Sequence, residues 1–250
     1  MDRRDALRAA AALAAGAMAA GCDSPSAAPR WSTASASPAG SGPATTAHAA
    51  APPAEIGHGP RNRPNVALTF HGQGDAGVVG RLLTELAAER VRVTVLAVGT
   101  WLAASPDLAR AVLAGGHELG NHTQHHADIK RMSAPAAHAE IDECAKALRG
   151  LTGSIGRWFR PSQTRHATPT IEAAATRVGY RTCLSYDVDS LDYTDPGPAT
   201  VVATTLERVR PGSIVSLHFG HAGTVAAIAP LLRGLRQRGL TPVTMTELMR

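Results

Sequence analysis

The densest collection of groups able to do chemistry lies between Gly116 and His126, where His117, His122, His125 and His126 fall within eleven residues. His122 and His126 are four apart, so one helical turn would carry both imidazoles on the same side. That spacing suits two adjacent corners of a tetrahedral or octahedral metal site. His125, about 100° round such a turn, would point away. Six further residues fall just after short apolar runs: His71, Arg160, the acids Asp187, Asp189 and Asp192, and His218. His166 and His221 occupy connecting loops and are candidate substrate contacts. Ser154 and Ser162 lack the G-x-S-x-G elbow, which argues against a serine hydrolase.

The elements that must position these groups read as alternating strand and helix. Apolar runs at Val66–Phe70, Val91–Val98, Glu118–Gly120, Gly156–Phe159, Thr182–Tyr186, Ser213–Leu217 and Pro242–Thr244 predict strands. Helical periods cover Leu82–Ala88, Pro106–Ala114, Pro135–Leu151, Thr168–Val178, Thr200–Val209 and Val225–Arg238. Pro106, Pro135 and Pro169 stand near helix starts, where a missing N–H costs nothing. Strands mostly followed by helices imply a parallel α/β architecture. In a parallel barrel all strand C-termini open on one face, so reactive side chains at successive strand exits would converge in one mouth. The expected fold is therefore a shortened, irregular parallel (β/α) barrel of about seven strands. Gly72 to Gly77 fits G-x-G-x-x-G, but the second strand ends without the acid a dinucleotide ribose needs, and a Gly-rich turn is the better reading.

Composition sets the boundaries. Of 250 residues, 44% are apolar and 4% aromatic, but residues 1–60 are mostly Ala, Ser, Pro and Gly. A charged start with Arg3-Arg4, a run of about 12 apolar residues and small residues before Cys22 have the layout of an export signal. Arg3-Arg4 resembles a twin-arginine signal and Ala19-Ala20-Gly21-Cys22 a lipobox. The expectation is an export signal over 1–22, a disordered Ala/Ser/Pro linker over 23–63 and one folded domain over 64–250. The protein would work outside the cytoplasm, as a membrane lipoprotein or a secreted protein, touching the membrane only through a lipidated N-terminus. The net charge of +5 comes from scattered Arg without a dense block or interleaved aromatics, which argues against nucleic acid. Export permits a disulfide between Cys144 and Cys183, while their helical and strand settings equally suit buried free thiols.

From about Asn65 to Leu248 the chain resembles the polysaccharide deacetylases of the NodB-homology type, carbohydrate esterase family 4. His122-Thr123-Gln124-His125-His126 matches the family's H-[ST]-x-x-H metal motif. Phe159-Arg160-Pro161-Ser162-Gln163-Thr164 echoes F-R-P-P-Y-G, and Asp189-Ser190-Leu191-Asp192-Tyr193 echoes D-[ST]-x-D-W. Gly212 to His218 supplies the late G-S-I-x-L-x-H element. The resemblance implies a metal-dependent hydrolase that removes acetyl groups from an N-acetylated cell-wall polysaccharide, peptidoglycan or chitin-like, with metal-activated water as nucleophile. It implies His122 and His126 as metal ligands and His218 as general acid. Asp192 would tune His218, Arg160 would hold the base region, and Tyr193 would take a substrate-contacting Trp position. The chain is expected to act as a monomer.

The departures fall in the first motif. Where the family has T-F-D-D-G, with a base and then a metal ligand, this chain has Thr69-Phe70-His71-Gly72-Gln73. His71 is open to three readings: third metal ligand, with Asp75 as the second candidate; base or substrate contact; or structural group. A three-imidazole site with an open position is an established zinc arrangement, and Zn²⁺ is the expected cofactor. Arg160 could also pair with Asp187 or Asp189. The rival reading is a wall-glycan binder that keeps the fold and has lost the chemistry.

Overall fold

The computed structural model describes residues 54–250. The expected export signal, and the expected linker up to residue 53, lie outside the described residues. The strands are β1 (Glu55–Ile56), β2 (Asn65–Gly72), β3 (Thr94–Ala97), β4 (Glu118–Asn121), β5 (Cys183–Leu184), β6 (Val188–Asp189), β7 (Ile214–His218) and β8 (Thr241–Val243). The helices are α1 (Ala76–Ala88), α2 (Gly99–Ala104), α3 (Pro106–Ala114), α4 (Ala134–Thr152), α5 (Pro169–Val178), α6 (Pro198–Arg208), α7 (Ala222–Gln237) and α8 (Met245–Leu248).

The apolar run Val66–Phe70, buried throughout, forms the central strand β2, as expected of a parallel strand covered on both faces. The sheet runs β4-β3-β2-β7-β6, every pair parallel, and β8 pairs with the start of β2. Beyond β4 the wall continues through Phe159 alone, which bridges Asn121 on one side and Cys183 of β5 on the other. β1 then pairs with β5. This is the irregular, barrel-like parallel α/β arrangement expected, with one correction: the strand expected over 156–159 shrinks to a single bridging residue. Gly156 turns the chain at φ 75°, and a Cβ there would meet the Leu119 carbonyl at 2.6 Å. Pro161, two residues past Phe159, has no N–H to offer a ladder.

The helices pack outside. α1 buries Val79, Leu82 and Leu86, and these meet Phe70, Leu217, Phe219, Ile228 and Leu231 in the main core. Inside the barrel, Ala67, Leu96, Trp158, Leu184, Ile214, Met245 and Leu248 form a second cluster. Met245 and Leu248 belong to α8, which closes the N-terminal end of the strands and leaves the C-terminal end open. α2 and α8 were not anticipated; both are too short to show a helical period.

Two more expectations are corrected or resolved. Among the described residues, the fold extends ahead of Pro64 at least to Glu55. β1, the His58–Ser213 bridge and an Arg61–Asp187 ion pair at 2.8 Å tie the supposed linker end to the barrel. A two-residue strand in an Ala/Pro-rich stretch leaves no periodic signal. Cys144 and Cys183 are buried free thiols; burial raises each thiol's pKa to about 12.

Candidate metal centre and cleft

The strands deliver their reactive groups to the open end. His71 is the penultimate residue of β2 and is in register with His218 of β7, so the two rings stand side by side with centroids 4.3 Å apart. His122 follows β4 directly, its N–H bonded to the Ala97 carbonyl. The segment 122–126 is not a helical turn, which corrects the expectation built on the four-residue spacing. Thr123 and His126 take left-handed φ values of 68° and 55° and bend the chain back on itself. The bend is pinned from two sides. Asn121 Oδ1 accepts the Thr123 N–H at 2.9 Å, and Glu140 Oε2 on α4 accepts the N–H groups of Gln124 and His125. His125 does point away, to Glu140 Oε1 at 2.7 Å.

The bend brings His126 to His122, with ring centroids 4.9 Å apart, while His122 lies 4.3 Å from His71. One ring nitrogen from each of His71, His122 and His126 lies within 4.8 Å of the others. Asp75, the other candidate third ligand, is committed elsewhere: it caps α1 and accepts the N–H groups of Gly77 and Val78.

This donor set fits a divalent cation. His122 donates Nδ1–H to the Arg160 carbonyl at 2.9 Å, which fixes the tautomer and leaves Nε2 as a lone-pair donor. Nε2 is buried without a hydrogen-bond partner, a costly state for an imidazole nitrogen unless something else takes its lone pair. His71 Nε2 lies 3.3 Å from Ser216 Oγ. Burial, reinforced by the neighbouring imidazoles, pushes the pKa of His71 and His122 well below the ordinary histidine value, and that of His126 lower too. At neutral pH the three rings are therefore in the unprotonated form that ligates metal.

His218 forms the second half of the site. Its Nδ1–H and backbone N–H both go to Asp192, at 2.7 and 2.8 Å. Asp192, only 1% exposed, also accepts from Ser190 Oγ and Thr224 Oγ1. Burial alone would raise its pKa, but the His218 and Thr224 bonds outweigh it and hold the carboxyl below its usual range. Asp192 thus stays ionised, orients the ring and leaves Nε2 of His218 for the cleft.

Arg160 is fully buried and makes no ion pair with Asp187 or Asp189. Its Nη2 donates to Thr69 Oγ1 and the Ser185 carbonyl, its Nε to the Leu184 carbonyl. Burial lowers its pKa to about 10. Asp187 is taken by Arg61, Ser213 and the Ile214 N–H.

A cleft of about 360 Å³ brings together His71, His126, His218, Tyr193, Ser216, Gln163, Thr164, Arg165, Tyr186 and Asp189. Tyr193 lies 5.2 Å from the His218 ring. His221 lines an adjoining hollow with His71, His218 and Gln73. His166 lines neither: its Nδ1 binds Glu55 Oε1 at 2.8 Å, which makes it a clamp on β1. Sequence reasoning missed Ser216, Arg165, Tyr186 and Glu140. Ser216 was within reach, since it stands two residues before His218 and so on the same face of its strand.

The profile of the polysaccharide deacetylase family matches residues 58–183. A chitooligosaccharide deacetylase of a Bradyrhizobium strain is 28% identical over 198 residues, 70% of this chain and 86% of that one. A peptidoglycan-N-acetylglucosamine deacetylase of Bacillus cereus is 29% identical over 201 residues, 76% of this chain and 91% of that one. Among solved structures, a carbohydrate esterase family 4 pseudoenzyme from Bacillus anthracis superposes with a TM-score of 0.75. It is 24% identical, covers 80% of this chain and 70% of its own, and speaks to the fold alone. Strand exits, histidine cluster and profile agree, and the chain belongs to the polysaccharide deacetylase family.

Proposed function

We propose that this protein hydrolyses the acetamide of an N-acetylated cell-wall polysaccharide, with Zn²⁺ held by His71, His122 and His126. The observation that carries the reading is this three-imidazole cluster, two of whose rings, His71 and His126, line one open cleft beside the Asp192-oriented His218. The relatives support the amide bond of an N-acetylated sugar as the target. When bound, the cation supplies a Lewis acid that acidifies water and polarises the acetyl carbonyl. The chain's own groups do the rest. His218, held by Asp192, protonates the departing nitrogen as the carbon–nitrogen bond breaks. Tyr193 flanks that ring and offers a face to the sugar. Export through the Arg3-Arg4 signal and lipidation at Cys22 would hold the domain beside its polymer.

A second reading, a glycan binder without catalysis, draws on one observation: Gly72 has no side chain to ligate with, and His71 replaces the carboxylate that the family uses as base. The two separate on metal content and acetate release. The parent protein should hold one equivalent of metal, and His122→Ala should hold little. Acetate release from an N-acetylglucosamine oligomer should fall by about 10²–10⁴ in His218→Ala with metal content unchanged. Negligible metal in both parent and His122→Ala, or release that is indifferent to His218, would sink the enzymatic reading.

A further inference from the structure

The proposed activity leaves the polymer open, and the cleft carries a feature that bears on it. We infer that Arg165 reads a carboxylate on the sugar. The preferred substrate is then an N-acetylated amino sugar carrying an acidic ether substituent, of the N-acetylmuramic acid type, and not the neutral sugar of chitin. This rests on the reading of the cleft as a glycan site.

Arg165 lines the same cleft as His71, His126 and His218, and it is fixed in place. Its Nε and Nη2 both donate to the Tyr186 carbonyl, at 3.1 and 2.9 Å, and its guanidinium lies 5.2 Å from the Tyr186 ring centroid. Its backbone is held as firmly. The Arg165 carbonyl accepts from Ser185 Oγ at 2.7 Å, and the next two residues clamp Glu55 through His166 Nδ1 and the Ala167 N–H. On the other side, Gln163 Nε2 donates to the His126 carbonyl at 2.7 Å, which joins this loop to the ligand loop. Much of the entropy of ordering a long side chain is thus met on folding and not on binding.

The charge, by contrast, is unspent. Arg165's side-chain bonds go to a carbonyl, its Nη1 makes none, and among the described residues it has no ion-pair partner. Asp189 is the one acid in the cleft lining, and it does not pair with Arg165. Its Oδ1 accepts the Leu191 N–H, and its Oδ2 lies 3.5 Å from the Tyr186 hydroxyl. The buried guanidinium of Arg160, 5.3 Å from the same Tyr186 ring, adds a second positive charge behind the wall, offset in part by Asp189 but paired with no acid at contact distance among the described residues. A fixed fork of donors in a positive field matches a carboxylate. A neutral chitin sugar has nothing to place there.

The test uses calorimetric binding of two disaccharides to the zinc-loaded full chain. N-acetylglucosaminyl-N-acetylmuramic acid should bind about tenfold tighter than diacetylchitobiose, and the preference should shrink as salt rises. Arg165→Gln, which keeps a donor for the Tyr186 carbonyl and leaves the melting temperature in place, should abolish the preference and not the binding. Equal affinities in the parent, or a preference that survives in Arg165→Gln, would overturn the inference. If Arg165→Gln instead weakens free acetate while both disaccharides bind as before, Arg165 holds the leaving product and the inference also fails. Acetate release from the same disaccharides reports separately on the deacetylase reading. A salt-sensitive preference without release would refute catalysis and leave Arg165 as the reader, whereas no binding of either sugar would sink both.

Discussion

An imidazole at position 71, where the family's first motif has a carboxylate, changes the charge of the site more than its shape. His71, His122 and His126 each sit where the charged form of histidine is disfavoured, by burial first and by neighbouring imidazoles, His218 among them, second. Folded-state pKa values below the unfolded value of about 6.5 mean that the unfolded chain binds more protons in mild acid. The contribution to stability is therefore full above roughly pH 6.5 and is lost as pH falls through the depressed folded values. The metal-free protein should melt at a steadily lower temperature from about pH 7 to pH 5. Zinc should flatten that slope, because bound metal competes with protons for the same nitrogens. His71→Ala should reduce the slope and also lower zinc affinity by more than the roughly 10–100-fold typical of an outer-shell change. Scanning calorimetry across pH, with and without zinc, checks both. A metal-free melt indifferent to pH in that window would contradict the reading of these rings as buried and neutral.

At the scale of elements, the site depends on how β2 and the ligand loop are packed. Gly72 lies against β3: a Cβ there would come within 2.6 Å of Val95 Cγ1 and 3.0 Å of the Ala97 Cα. Restoring the family's second acid as Gly72→Asp should therefore cost about 1–3 kcal/mol through overpacking. Gly72→Asp with Val95→Ala should recover part of that loss, since the tightest contact is a side chain and not backbone. Thermal melts of the two variants decide it, and equal destabilisation would show that β3 cannot yield. The sequence makes some of this legible and hides the rest. The His122/His126 spacing is visible, and their convergence is real, but it is achieved by two left-handed residues and Glu140, not by a helix. Left-handed φ at Thr123 and His126 leaves no compositional trace, because β-branched Thr is disfavoured there and His, although enriched at positive φ, adopts it in only a small fraction of its positions. His166 looks equivalent to His221 from the sequence. Only the pairing of β1 with β5 reveals that Glu55 claims the first and leaves the second beside the site. The strand exits at His71, His122 and His218 are readable because buried parallel strands are short apolar runs with a polar residue at their end.

On the scale of the whole molecule, the barrel is closed at one end by α8 and open at the other. Half the cleft wall hangs from its least regular part, the passage from Phe159 through β5 to β6. That passage is braced by residues that composition assigns to a linker. Ala54 and Ile56 carbonyls accept the N–H groups of Cys183 and Ser185, both at 2.8 Å, and Glu55 accepts the Ala167 N–H at 2.6 Å. Arg61 pairs with the largely buried Asp187 and donates to the Pro211 carbonyl. A chain begun at Pro64 would strand these partners, and buried groups left without a bond cost about 1–3 kcal/mol each. Relative to a chain begun at Ala54, it should melt roughly 10 °C lower, at about 2–4 °C per kcal/mol for a protein of this size. The two halves of the site should respond differently. His71, His122 and His126 stand on β2 and β4, away from the lost strand, so zinc affinity should hold. The Arg165–Tyr186 wall, clamped through His166 and Glu55, should loosen, so glycan affinity should fall. Unchanged melting would make β1 a passenger, whereas parallel loss of zinc and glycan would mean that the barrel fails as a single unit instead of along this seam.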